Sequence, residues 1–160
     1  MNEFNLLNLQ PSEKIKLIES IHWMHDLTAD NIKAVSSYFK VYTAPGGAYL
    51  LKEGEKHDFV CILCEGSIDV IKTDFANNAK LLNSFKGTGK IFGEMSFFDG
   101  EASSASIVSK DTVKFIMLSK EEFLKMSSEH AYVTLKILVN LMRNLSQRLR
   151  QTSGRLVDVI

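Results

Sequence analysis

Between Phe39 and Leu118 short β-prone runs alternate with turn residues, and no helix-sized segment separates them. This alternation restricts the fold more than any other feature of the chain. Strands are expected at 39–43, 48–52, 58–64, 67–73, 80–85, 104–109 and 112–118. Pro45-Gly46-Gly47, Glu53-Gly54-Glu55, Glu65-Gly66, Asn77-Asn78, Gly87-Thr88-Gly89, Asp99-Gly100 and Lys110-Asp111 supply the turns. Many short strands at close spacing build a sandwich, roll or barrel. The missing crossover helices argue against a parallel α/β sheet.

Helical patterns flank the strands. Pro11-Ser12-Glu13 starts a helix whose stripe is Ile15, Leu17, Ile18 and Ile21. Thr28 caps a second helix, with Ile32, Val35, Tyr38 and Phe39 on one side. Ser119 caps a third, with Glu121 and Glu122 in its first turn, and a long helix follows from about Glu129. In that helix Leu138, Met142, Leu145, Leu149, Thr152, Leu156 and Val159 alternate steps of four and three, a coiled-coil seam. Val133, Ile137 and Leu141 are expected to dock on the β-domain. A helix of nearly thirty residues spans about 45 Å and outreaches a domain this small. Its far end therefore predicts a homodimer through Leu138, Met142, Leu145, Leu149 and Leu156. Arg143, Arg148, Arg150 and Arg155 lie off the seam and read as a solvated face.

The chain is thus expected to be one α+β domain, mainly β, over 1–160: an antiparallel, jelly-roll-like β-roll with flanking helices. N-terminal helices occupy 1–38, the roll 39–118 and C-terminal helices 119–160. Nineteen basic and nineteen acidic side chains cancel, so no net field draws the chain to nucleic acid or to an anionic membrane. No apolar run is long enough to span a bilayer. The N-terminus has no signal-peptide pattern, and a cytoplasmic location is expected. Cys61 and Cys64 form a C-x-x-C within a strand, where a period of two sends them to opposite faces, unable to share a metal ion. His22 and His25 are spaced for chelation, but no third ligand accompanies them. No nucleophile elbow, P-loop or metalloprotease motif is present, so no catalytic or metal-ligating residue is assigned and a non-enzymatic protein is expected.

The order of short helices, β-roll and long helix resembles the cyclic-nucleotide-binding domains. These include regulatory subunits of cyclic-AMP-dependent kinase and sensor domains of catabolite-activator-type transcription factors. Pro45-Gly46-Gly47…Glu53-Gly54-Glu55, Ile62-Leu63-Cys64-Glu65-Gly66 and the stretch Ile91 to Ala105 carry the likeness. The third is similar to the family's phosphate-binding cassette, so the cassette is expected at 91–105. The resemblance implies a ligand, cyclic AMP or cyclic GMP, and no other cofactor. It implies ligand contacts from Phe92, Gly93, Glu94, Met95, Ser96, Ser103, Ser104 and Ala105, with Glu94 accepting from a ribose 2′-hydroxyl. Gly93 admits a close backbone approach, and a short helix starting at Glu94 aims free N–H groups at the pocket. Leu149-Arg150-Gln151-Thr152-Ser153 resembles the activators' adenine-binding segment, which adds Thr152 and Ser153.

One departure matters. The family grips the cyclic phosphate with an arginine, and here Ser103 stands at that position. No residue between Phe92 and Val108 is basic, while Glu94, Asp99 and Glu101 are acidic. A lost charge-assisted pair costs about 2–3 kcal/mol when buried. Three readings follow: a cyclic-nucleotide sensor using a cation from elsewhere, with Lys52, Lys86 and Lys90 as candidates; a pocket adapted to another small ligand; or a ligand-free dimerisation or docking module. A cupin-like metal enzyme is the remote alternative, weakened because only His57 falls in the roll. The activators append a DNA-binding motif after the long helix. Nothing after Gly154 could hold one here, so no nucleic-acid partner is expected, and the module is expected to act on an unnamed protein partner.

Overall fold

The run Phe59-Val60-Cys61-Ile62-Leu63-Cys64 is apolar at every position because the strand it forms is buried on both faces. This computed structural model describes residues 3–157, with side chains described from Glu3 to Gly154. Among the described residues nine strands form two antiparallel sheets. The first has the order β1 (Asn5–Leu6), β2 (Lys40–Ala44), β9 (Val113–Ser119), β4 (Phe59–Glu65) and β7 (Lys90–Phe92). The second has the order β3 (Tyr49–Leu51), β8 (Ser106–Ser109), β5 (Ser67–Thr73) and β6 (Ala79–Lys86).

Alternation along β4 and β9 sorts the apolar side chains into two cores. Cys61, Leu63, Val113, Phe115 and Met117 point between the sheets, where they meet Leu50, Ile68, Phe92 and Ile107. Val60, Ile62, Cys64, Ile116 and Leu118 point to the opposite face, under the helices. Cys61 and Cys64 accordingly lie in different cores, as the strand period requires. Burial raises both thiols, that of Cys64 to about 12.

The helices are α1 (Pro11–Glu19), α2 (Ala29–Val35), α3 (Glu94–Asp99), α4 (Lys120–Glu129) and α5 (Ala131–Val157). Thr28 and Ser119 cap α2 and α4 by accepting from the N–H groups of Asn31 and Glu122. Helix α2 ends at Val35, earlier than the expected stripe through Phe39. A 3₁₀ turn follows over Ser36–Tyr38, and the Ser36 hydroxyl donates to the Lys33 carbonyl at 3.0 Å, competing with the helical ladder. Strands β1 and β7, two and three residues long, were not foreseen, because so short a run leaves no alternation to read.

Three side chains on one stripe of α5, Val133, Ile137 and Leu141, sink into the helix-side core as expected. Polar bonds fasten the same half: Asn140 Nδ2 donates to Asp26 Oδ1 at 2.9 Å, and Lys136 Nζ to the Asp26 carbonyl at 3.1 Å. The N-terminal segment is also tied to the roll, since Trp23 Nε1 donates to the Gly89 carbonyl at 2.9 Å. Among the described residues no helix is long and apolar enough to cross a membrane.

Candidate ligand cavity

Strand β7 and helix α3 meet at Gly93, which turns the chain with a left-handed φ of 79°. A side chain there would be strained by that φ. A Cβ would also stand 3.1 Å from His57 Cε1 and 3.2 Å from the Phe59 carbonyl oxygen. The glycine is therefore required by the turn and by crowding from the protein, where the sequence suggested room for a ligand. The turn delivers Glu94 into a cavity between the two sheets and α5.

All eight cassette residues named from the sequence line this cavity: Phe92, Gly93, Glu94, Met95, Ser96, Ser103, Ser104 and Ala105. Leu51, His57, Val70, Phe85, Ile91, Ile107 and Arg148 complete it. Thr152 and Ser153 are not among the lining residues. Both are exposed, and the Thr152 hydroxyl donates to the Arg148 carbonyl of its own helix at 2.9 Å. Of the expected seam, Leu138 packs partly on the helix-side core, Met142 and Leu149 are 60% and 68% exposed, and Leu145 is half-buried. The side chain of Leu156, and Val159 entirely, lie outside the described residues.

Arg148 corrects the sequence reading most. It was assigned to a solvated helix face, yet it reaches the cavity and its Nη1 lies 2.6 Å from Glu94 Oε1. The same nitrogen donates to the Ile91 carbonyl at 3.3 Å, and the guanidinium lies 5.8 Å from the centre of the Phe85 ring. The Glu94 side chain is only 4% exposed, so without this partner a charge would be buried alone. None of Lys52, Lys86 and Lys90 lines the cavity; its cation comes from α5, more than forty positions beyond the cassette. Seam periodicity could not reveal this, because off-seam arginines on a long helix look alike until the helix is docked.

Ser103, which the family resemblance alone sets at the arginine position, is buried and bonded to protein. Its Oγ lies 3.0 Å from His57 Nε2, and His57 Nδ1 lies 3.1 Å from the Phe59 carbonyl oxygen. Burial lowers the His57 pKa below the ordinary imidazole value, against the raising effects of the Phe59 carbonyl, Asp58 and Glu94. His57 was noted in the sequence only to weigh against a metal enzyme. Among the described residues no group of three metal-ligating side chains is gathered. As it stands the cavity measures about 70 Å³. Small-ligand sites generally offer roughly 300–1,000 Å³.

A family model described as the cyclic nucleotide-binding domain matches residues 43–130, more than half the chain. This chain belongs to that family, whose type is a sensor domain. It is 26% identical over 127 residues to the cyclic AMP receptor protein of Thermus thermophilus, covering 79% of this chain and 56% of that protein. The chain thus spans little more than half the length of that relative. A solved cyclic nucleotide-binding domain from Methylobacillus flagellatus superposes with a TM-score of 0.87 at 24% identity, covering 99% of this chain and 90% of the other. The regulatory subunit of a cyclic-AMP-independent protein kinase A from Trypanosoma brucei superposes at 0.69 and 21% identity, covering 89% and 51%. It was solved with cyclic AMP as a triple mutant, one of whose substitutions introduces an arginine.

Because Glu94 is buried and Arg148 partly exposed, Arg148→Met should destabilise the fold by about 1–2 kcal/mol, less than a fully buried pair would cost. Adding Glu94→Met should restore most of that loss, since the uncompensated charge goes with it. Urea denaturation of the three variants checks both expectations.

Proposed function

We propose that this domain is a non-enzymatic, cytoplasmic sensor that takes a cyclic nucleotide in the cavity and reports it through α5. The observation that carries the reading is the Glu94–Arg148 pair, which joins the cassette to the long helix inside the cavity itself. A ligand contacting Glu94, as the family resemblance implies, competes for the group that holds the far half of α5. The cavity's present volume adds to this: a nucleotide needs more room than Arg148 leaves, so binding requires Arg148 or α5 to shift. A ligand that favours the shifted helix moves the population toward it. Ligand contacts are assigned to Phe92, Gly93, Glu94, Met95, Ser96, Ser103, Ser104 and Ala105.

Thr152 and Ser153 enter this reading through a second copy. On one chain they face away from the cavity, and a parallel pairing of two α5 helices would offer them to the partner's site. Exposed Met142 and Leu149 support such a pairing, and in the sequence Leu138, Leu145 and Leu156 continue the same spacing. Shifted or released helices would present the dimer to a protein partner. The even charge balance favours that over nucleic acid for these residues.

The phosphate grip decides the ligand. The trypanosome regulatory subunit is described as cyclic-AMP-independent, and the form captured with cyclic AMP had gained an arginine. Calorimetric titration with cyclic AMP and cyclic GMP should show binding weaker than that of Ser103→Arg by tens- to hundreds-fold. Equal affinity in the two proteins would mean that Ser103 does not stand at the phosphate, and no binding by either would remove the nucleotide reading. For the dimer, light scattering at micromolar concentration should give twice the chain mass, and Leu149→Glu should halve it. A monomeric mass for the unaltered protein would overturn the pairing.

A further inference from the structure

The ring of His57 stands on the turn before β4, tilted against Phe59 at a centroid distance of 4.8 Å, and both its nitrogens are engaged. A carbonyl oxygen only accepts, so the nitrogen facing the Phe59 carbonyl, Nδ1, carries hydrogen. In the neutral ring Nε2 then accepts the hydroxyl hydrogen of Ser103. Ser103 is fixed as well, its N–H donating to the Glu55 carbonyl and its own carbonyl accepting from the Gly54 N–H, each at 2.9 Å. In this state the Ser103 hydrogen is used within the protein, and the cavity receives neither a donor nor a charge from this corner. Protonation of Nε2 reverses the bond: the ring donates to Ser103 Oγ, and the hydroxyl hydrogen is released to turn toward the cavity.

We propose that His57 and Ser103 together form the anion-binding end of the cavity, the imidazolium acting through the Ser103 hydroxyl in place of a fixed cation, for a ligand bearing a phosphodiester monoanion. The inference rests on the nucleotide reading of the cavity given above. Arg148 lines the same cavity but is held by Glu94, and among the described lining residues His57 is the other side chain able to carry positive charge.

The charged neighbours of His57 come from several elements. Lys56 and Asp58 flank it on its own turn, Glu94 faces it from α3 with Arg148 of α5 attached, and Asp99 and Lys120 line the groove on its other side. Burial keeps the free imidazole below its ordinary range, so the unliganded protein holds it neutral at pH 7. Binding a monoanion must then draw in a proton. Affinity is full below the pKa of free His57 and falls as pH rises through the higher pKa of the complex.

Two measurements test this. In calorimetric titration, cyclic AMP, whose own charge does not change between about pH 5.5 and about pH 8, should bind roughly tenfold more tightly at the lower pH. His57→Gln should remove that dependence, and Ser103→Arg should bind tightly at both pH values. Affinity that is the same at both pH values in the unaltered protein would overturn the proposal. Independently, dimethyl phosphate, a monoanion with neither base nor ribose, should raise the pKa read from the His57 Cε1 proton by NMR. An unmoved titration in excess dimethyl phosphate would also overturn it. Cyclic AMP binding with no pH dependence and an unmoved imidazole removes the anion site but leaves the nucleotide reading standing. A raised imidazole pKa in a protein that never binds cyclic AMP does the reverse.

Discussion

A carboxylate that is 4% exposed cannot stay charged without a partner, and the partner of Glu94 is the Arg148 guanidinium at 2.6 Å. That requirement ties together the parts of the molecule that define its function. Gly93 turns the chain so that Glu94 points inward, and β7 holds the turn against β4 through pairs such as Cys61 with Phe92. Helix α5 must in turn run close enough to the roll for Arg148 to reach the cavity. The near half of α5 is held by apolar packing at Val133, Ile137 and Leu141, whereas its far half meets the roll at Arg148. A ligand at Glu94, as proposed above, would act on the half of the helix that lacks this apolar stripe, the condition for a switch.

The two cores divide the remaining work. The inner core, where Phe92, Phe115 and Leu63 of one sheet meet Leu50, Ile68 and Ile107 of the other, fixes how the sheets face each other. The outer core seats the helices on β4 and β9. Both strands contribute to both cores, so the packing under the helices and the packing between the sheets share β4 and β9. The zero net charge leaves the behaviour of the domain to local pairs such as this one.

Much of this was legible in the residues. The β-prone runs 58–64 and 112–118, bounded by turn residues, place two strands within a residue of where they lie, and Thr28 and Ser119 mark their helix starts. The cassette positions, read by resemblance, line one cavity. What escaped depends on contacts between distant segments. β1 and β7 are strands only because β2 and β4 pair with them. Arg148 looked like one of four off-seam arginines until docking singled it out, and His57 acquires meaning only beside Ser103, forty-six positions away. Thr152 and Ser153 show the converse: their place in a motif was plain, but one copy of the chain leaves them facing outward.

Amide hydrogen exchange along α5 in the unaltered protein and in Glu94→Met tests the coupling most directly. If the Glu94–Arg148 pair fastens the far half of the helix, exchange should quicken in 142–154 and stay unchanged in 131–141, where the apolar stripe holds. Equal exchange throughout the helix in both proteins would contradict the account, since the cassette would then have no grip on α5.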